Sequence, residues 1–148
     1  MHRRQRVPRE WLIIADEGAI AAARRLKRGT GLLLLGSLPP AKARQLRAIA
    51  QLRGLAIVRE GRNRAVRVHD LRELRAALRD RTSMCLLSPL HPTRSHPDWS
   101  PIPRMRAAAL ARLCGRRLFA LGGMDARKFA RIKALGFQGW AGISAFRT

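Results

Sequence analysis

Apolar positions along this chain fall into two alternating patterns, short continuous runs and longer stretches spaced by threes and fours. Residues 11–16 (WLIIAD) form an unbroken apolar run of strand length, as expected of a strand buried on both faces. The stretch that follows sets Ile20, Ala23 and Leu26 on one face, with Glu17 at its start and Gly29 after it, which predicts a helix. The pair of patterns then repeats. Residues 31–36 predict a second strand, and Ser37 with Pro39 and Pro40 marks a loop and a helix start. Ala43, Leu46, Ile49 and Ala50 predict the apolar face of a helix over 41–52, with Lys42, Arg44, Arg47 and Arg53 outside and Gly54 at its end. With a third strand over 55–60, the order β-α-β-α-β indicates a parallel sheet.

Residues 65–70 (AVRVHD) also have strand character, yet only residues 60–64 separate them from the third strand. Adjacent parallel strands need a crossover of about a dozen residues. Either the two form a local hairpin or one βα unit has been lost at this point. Asp70 then suits the cap of a helix over 71–81, with Glu73 placed as in a capping box. The remaining pattern predicts a strand over 84–88, a long Pro- and His-rich loop over 89–103 and a helix over 104–114. It continues with a strand over 118–121, a helix over 125–135 and a last strand over 138–143. The loop has the length of a binding lid. The expected organisation is one α/β domain over 11–148 behind a flexible basic arm over 1–10.

At 148 residues the chain can bury a core. It is short of the ~250 residues typical of a complete eight-stranded barrel. The 31 Lys and Arg against 9 Asp and Glu give a formal charge of +22. Such a surface attracts polyanions at low salt, but the arginines are spread over every helix and form no single block. Interleaved aromatics are missing, with no Tyr in the chain, so a nucleic-acid-binding module is the weaker alternative. Cys85 and Cys114 have no metal-ligand spacing and suit small buried apolar positions in a reducing compartment, and no metal-binding residue set emerges. No apolar run reaches the ~18 residues of a membrane span, and a cytoplasmic location is expected.

The chemistry gathers in the last 65 residues or so, where each short strand ends in small or polar residues. Ser88 and Pro89 precede Thr93, Arg94, Ser95 and His96; Gly122 and Gly123 follow the next strand; Gly142, Ile143 and Ser144 follow the last. In a parallel α/β fold these ends face one crevice, where glycine backbone, hydroxyls and helix starts can hold an anion such as phosphate. Each of these residues also has a purely structural reading: the glycines as a tight turn, Thr93 and Ser95 as turn stabilisers, Ser144 as a cap, His96 as a solvated loop residue. His69, at a strand end, is either a general acid/base near neutral pH or a satisfied end residue, with Asp70 either orienting it or capping the helix.

Three pieces of this tail, LLSPLHPTRSHP, FALGGM and WAGISAF, occur in the order and spacing found in the thiamine phosphate synthase and TenI-like family, which the chain resembles. The resemblance implies a reduced TIM-type (β/α) barrel missing one βα unit, compensated by an edge gap, seven-stranded closure or a homo-oligomer. It implies that Thr93, Ser95, Gly122, Gly123, Ile143 and Ser144 hold the phosphate of a phosphorylated thiazole. His96 would stand where the family has Lys or His, and His69 where TenI-like tautomerases have a proton-moving His. A synthase would join the thiazole to a pyrimidine methyl diphosphate with release of diphosphate, with Mg2+ as cofactor. The alternatives are a thiazole tautomerase and an inactive thiazole-phosphate binder. The family's Q-x-R-x-K and N-D motifs are absent. The second strand here ends Leu35, Gly36, Ser37 and the third Val58, Arg59, Glu60, where Arg59 and Glu60 would be partial stand-ins.

Overall fold

The computed structural model describes residues 6–94 and 96–147; the first five residues of the expected basic arm, and Ser95, lie outside them. Among the described residues are seven parallel strands and five α-helices, alternating except between the third and fourth strands. The strands are β1 (Glu10–Ile14), β2 (Gly31–Leu34), β3 (Ala56–Arg59), β4 (Ala65–Val68), β5 (Met84–Leu87), β6 (Leu118–Leu121) and β7 (Gly139–Gly142). The helices are α1 (Glu17–Ala23), α2 (Pro40–Arg53), α3 (Leu71–Arg79), α4 (Arg104–Cys114) and α5 (Ala126–Ile132). Strand order is β3-β2-β1-β7-β6-β5-β4, so the first and last strands in the chain sit together in the middle. The result is a nearly closed TIM-type barrel with one βα unit fewer than the usual eight.

The strands are apolar throughout because both of their faces are covered. Trp11, Ile13, Leu33, Met84, Leu86 and Phe119 alternate inward to fill the barrel. The intervening Leu12, Ile14, Leu32 and Leu34 pack under α1 and α2. On the other side Val68, Cys85, Leu87, Leu118 and Ala120 pack under α3, α4 and α5, and both cysteines are buried free thiols. The basic arm joins this body before β1 begins, since Trp11 Nε1 donates to the Pro8 carbonyl at 2.8 Å and the Arg9 carbonyl accepts from Trp140.

Each helix that starts with an Asp is capped by it. Asp16, Asp70 and Asp125 accept the amides of Ala19, Glu73 and Lys128 at 3.1, 2.8 and 2.8 Å. α1 stops at Ala23, earlier than the apolar spacing predicts. The turn after it is held from outside, where the Arg53 guanidinium donates twice to the Leu26 carbonyl at 2.7 and 3.2 Å.

The junction of β3 and β4 resolves the short-connection problem. The two strands are both parallel to the rest and form no hairpin; they touch through a single bridge, Glu60 with Ala65. β4 therefore starts where β3 ends, one strand over and higher along the barrel axis. A turn over 61–64, with Asn63 in the left-handed region and Arg64 N–H donating to the Gly61 carbonyl, spans that step. No crossover helix is needed because the chain never returns to the bottom of the sheet. The ladder around the sheet levels Ala56 with Gly31, Trp11, Ala141 and Leu121, one residue above the row of Ala120, Leu87 and Val68. Counted that way Ala56 is level with position 69, but across the bridge it is level with position 61, a stagger of eight residues. That stagger is the one eight-stranded barrels use. On the outer side β3 is only half-buried, and Leu52 of α2 is 88% exposed.

Candidate functional site

The C-terminal ends of the strands surround a cavity of about 910 Å3. Six of the candidate residues lining it, His69, Thr93, Gly122, Gly123, Ile143 and Ser144, come from four different strand ends, and His96 joins them from the loop. Ser95 is outside the described residues. The convergence follows from the parallel sheet, in which every strand delivers its C-terminal residue to the same face.

The glycine turn after β6 is dictated by backbone geometry. Gly122 and Gly123 have φ of +105° and +60°. A Cβ on Gly122 would lie 2.9 Å from Pro89 Cα, and one on Gly123 would lie 2.8 Å from the Pro92 carbonyl oxygen. The long loop over 89–103 thus rests directly on the glycine pair. It is pinned there by Leu90 and His91 N–H bonds to the Leu121 and Gly122 carbonyls and by Ile102 N–H to Pro89. The positive charge at this turn comes from a residue that apolar spacing does not single out. Lys128 Nζ donates to the Gly123 carbonyl at 2.8 Å and lines the cavity. The start of α5 itself contributes little, because Asp125 caps it; the Lys128 backbone N–H holds the Asp125 carboxyl below the usual carboxylate range.

Thr93 keeps the turn role foreseen for it, its hydroxyl oxygen accepting the His96 N–H at 3.0 Å, and still faces the cavity. Ser144 is the first residue of a short 3-10 turn, Ser144–Phe146, whose N-cap position is Ile143. The imidazole pKa of His91 is lowered, by burial first and then by the nearby Lys128.

His69 is oriented by a different carboxylate from its chain neighbour. Asp70 is the α3 cap, while Glu73 Oε2 lies 2.9 Å from both His69 Nδ1 and the His69 backbone nitrogen. A carboxylate at Nδ1 keeps a proton on that nitrogen and leaves Nε2 to exchange one. The four-residue spacing of His69 and Glu73 is the signal that could have found the pair, since α3 begins between them and turns Glu73 back over its own start.

Beside His69, Arg67 reaches across the seam to Glu60, its Nε and Nη2 at 2.7 and 3.3 Å from the two carboxylate oxygens. Both line the cavity. Strand parity is the signal that could have found it, since Arg67 and His69 are two apart and share the inward face. Arg59, the other proposed stand-in, is exposed and does not line the cavity.

Two aromatic contacts complete the rim. Trp99 stacks on His96, with ring centroids 3.9 Å apart and planes 8° apart, and meets His69 edge to face at 5.3 Å.

Magnesium, implied by the resemblance, does not fit these residues. The cavity-lining carboxylates are Glu60, with both oxygens on Arg67, and Asp125, engaged as a helix cap. Among the described residues no three His, Cys, Asp or Glu side chains cluster to hold a metal. Mg2+ keeps several waters and needs carboxylate oxygens free to take it. Also among the described residues, no helix is long and apolar enough to cross a membrane.

The fold recurs in solved structures. A thiamine phosphate pyrophosphorylase from Pyrococcus furiosus superposes with a TM-score of 0.75 at 13% identity, covering 97% of this chain and 90% of the other. One from Bacteroides thetaiotaomicron gives 0.57 at 14% identity, covering 93% and 83%. Comparison with curated proteins gave no match. The family model described as thiamine monophosphate synthase, TMP-TENI, matches residues 56–146, a span that holds every candidate site residue. The chain belongs to the thiamine monophosphate synthase (TMP-TENI) family.

Proposed function

We propose that this protein acts in thiamine biosynthesis by binding a phosphorylated thiazole in the cavity and moving a proton on the thiazole ring through His69, as a TenI-like tautomerase does. The observation that carries the reading is that His69, paired with Glu73, lines the same cavity as the Gly122, Gly123 turn. In this reading Lys128, the Thr93 hydroxyl and the glycine backbone hold the phosphate, with Ile143 and Ser144 closing the cradle. The Nε2 of His69 takes a proton from the ring, Glu73 stabilises the imidazolium that forms, and the proton returns to a second ring position. No step needs a metal.

The second reading, a synthase that joins the thiazole to a pyrimidine methyl diphosphate, is favoured by cavity size and by the cations Arg67 and Arg94 on its wall. About 910 Å3 exceeds what one small phosphorylated ring fills. It is opposed by Glu60, whose carboxylate already occupies Arg67. An inactive thiazole-phosphate binder shares the cradle but has no use for Glu73 at His69.

The test is calorimetric titration with phosphorylated thiazole at moderate salt, which suppresses binding to the basic surface, together with a turnover assay. Saturable binding is expected in the native protein and in His69→Asn, and none in Gly123→Val. Turnover is expected only in the native protein. Unaltered turnover in His69→Asn would end the proton-transfer reading, and binding retained in Gly123→Val would end the assignment of the phosphate to the glycine turn.

A further inference from the structure

Trp99 lies in a loop of Pro, Ser, Asp and His, away from any apolar periodicity, and is 44% exposed although it lines the cavity. His96 covers one of its faces, stacked at 3.9 Å, and that stack is fixed by the chain itself: Trp99 N–H donates to the His96 carbonyl, and His96 N–H to the Thr93 hydroxyl. The His69 ring stands perpendicular to the indole at 5.3 Å. An indole, a stacked imidazole and the candidate proton-transfer group therefore meet at the rim of the same cavity that the glycine turn and Lys128 line.

We propose that Trp99 determines specificity for a planar aromatic ring: the indole stacks on the heterocycle of a phosphorylated ligand and sets that ring against His69. The inference rests on the phosphate-binding reading above. A phosphate cradle alone accepts any phosphate monoester, and an aromatic shelf on the rim of the same cavity separates planar heterocyclic esters from aliphatic ones. Aromatic faces select planar partners through offset stacking, and the selection costs little entropy because the indole is already held.

The experiment follows the fluorescence and heat of binding for phosphorylated thiazole and for inorganic phosphate, in the native protein, Trp99→Phe and Trp99→Ala. Trp11 and Trp140 are buried, at 2% and 3% exposure, so a ligand-dependent change in emission reports on Trp99. Stacking predicts emission that changes with phosphorylated thiazole but not with inorganic phosphate. It predicts about 10-fold weaker thiazole binding in Trp99→Ala, most of it restored in Trp99→Phe, with phosphate affinity the same in all three. Equal weakening for both ligands would make Trp99 a clamp on the loop and overturn the inference, as would unchanged thiazole binding in Trp99→Ala. If the native protein binds inorganic phosphate but gains nothing from the thiazole, the specificity inference fails while the cradle stands. If it binds neither, the phosphate reading fails and takes this one with it.

Discussion

Gly31→Ala adds one methyl group to the floor of the barrel, and the structure sets its cost. An ideal Cβ on Gly31 would lie 2.1 Å from Trp11 Cε3 and 2.4 Å from Cδ2 and Cζ3. Ordinary carbon contacts are ~3.5–4.0 Å, so the indole or the strand must shift by more than ~1 Å. The indole has little freedom to do so. It is 2% exposed, meets Phe119 edge to face at 6.2 Å, and its Nε1 donates to Pro8 at 2.8 Å. Overpacking a core costs ~1–3 kcal/mol, and displacing the ring adds about 1 kcal/mol for the indole hydrogen bond. The expected loss is about 3 kcal/mol, a fall in Tm of about 6–12 °C for a chain of this size. Urea unfolding followed by circular dichroism reads it directly. In Trp11→Phe the smaller ring makes room, so the double variant should recover ~1 kcal/mol or more relative to the sum of the single losses. Gly31→Ala within ~0.5 kcal/mol of the native protein, or strict additivity, would refute the packing argument.

Two further outcomes follow from the caps and the seam. Asp125→Ala should cost about 1 kcal/mol at pH 7 by removing the acceptor for Lys128 N–H. Because the folded carboxyl titrates below its unfolded value, the cap's contribution is complete above the ordinary Asp range and fades as pH falls through the lowered value. The gap between native and variant urea midpoints should therefore close in acid, and a gap that widens would contradict the assignment. Arg67→Met should cost about 1 kcal/mol, since the Glu60–Arg67 pair is partly solvated, and should speed amide exchange over residues 60–68 ahead of the rest of the sheet. Uniform exchange across all strands would mean that the pair does not hold the seam.

Sequence patterning located the elements closely because both covering layers leave a local mark. A strand buried on both faces is apolar at every position, as in Leu32, Leu33 and Leu34, and each helix shows one apolar stripe. The seam was harder. The 60–64 connection is too short for a crossover, and what makes it workable is the stagger of β4 against β3, a property of register summed around the whole sheet. The loss of a βα unit was legible; the way the chain bridges that loss was not. At the site, glycines and hydroxyls at strand ends stood out, and they do share one cavity. The charged partners did not stand out, because Lys128 lies one helical turn past its glycine and Arg67 is one of 31 basic residues. Trp99 carries no periodic signal at all, and only the folded loop brings it onto His96 and His69.

In the proposed reading the strand ends form one phosphate cradle serving His69. Amide NMR of the 15N-labelled protein, titrated with phosphorylated thiazole at moderate salt, tests it most directly. The account predicts saturating shifts confined to Gly122, Gly123, Ile143, Ser144 and the 93–99 loop, with His69 ring signals moving at the same ligand concentration. Shifts scattered over the arginine-bearing helices, linear in ligand and erased by salt, would contradict it and leave bulk electrostatics as the only binding present.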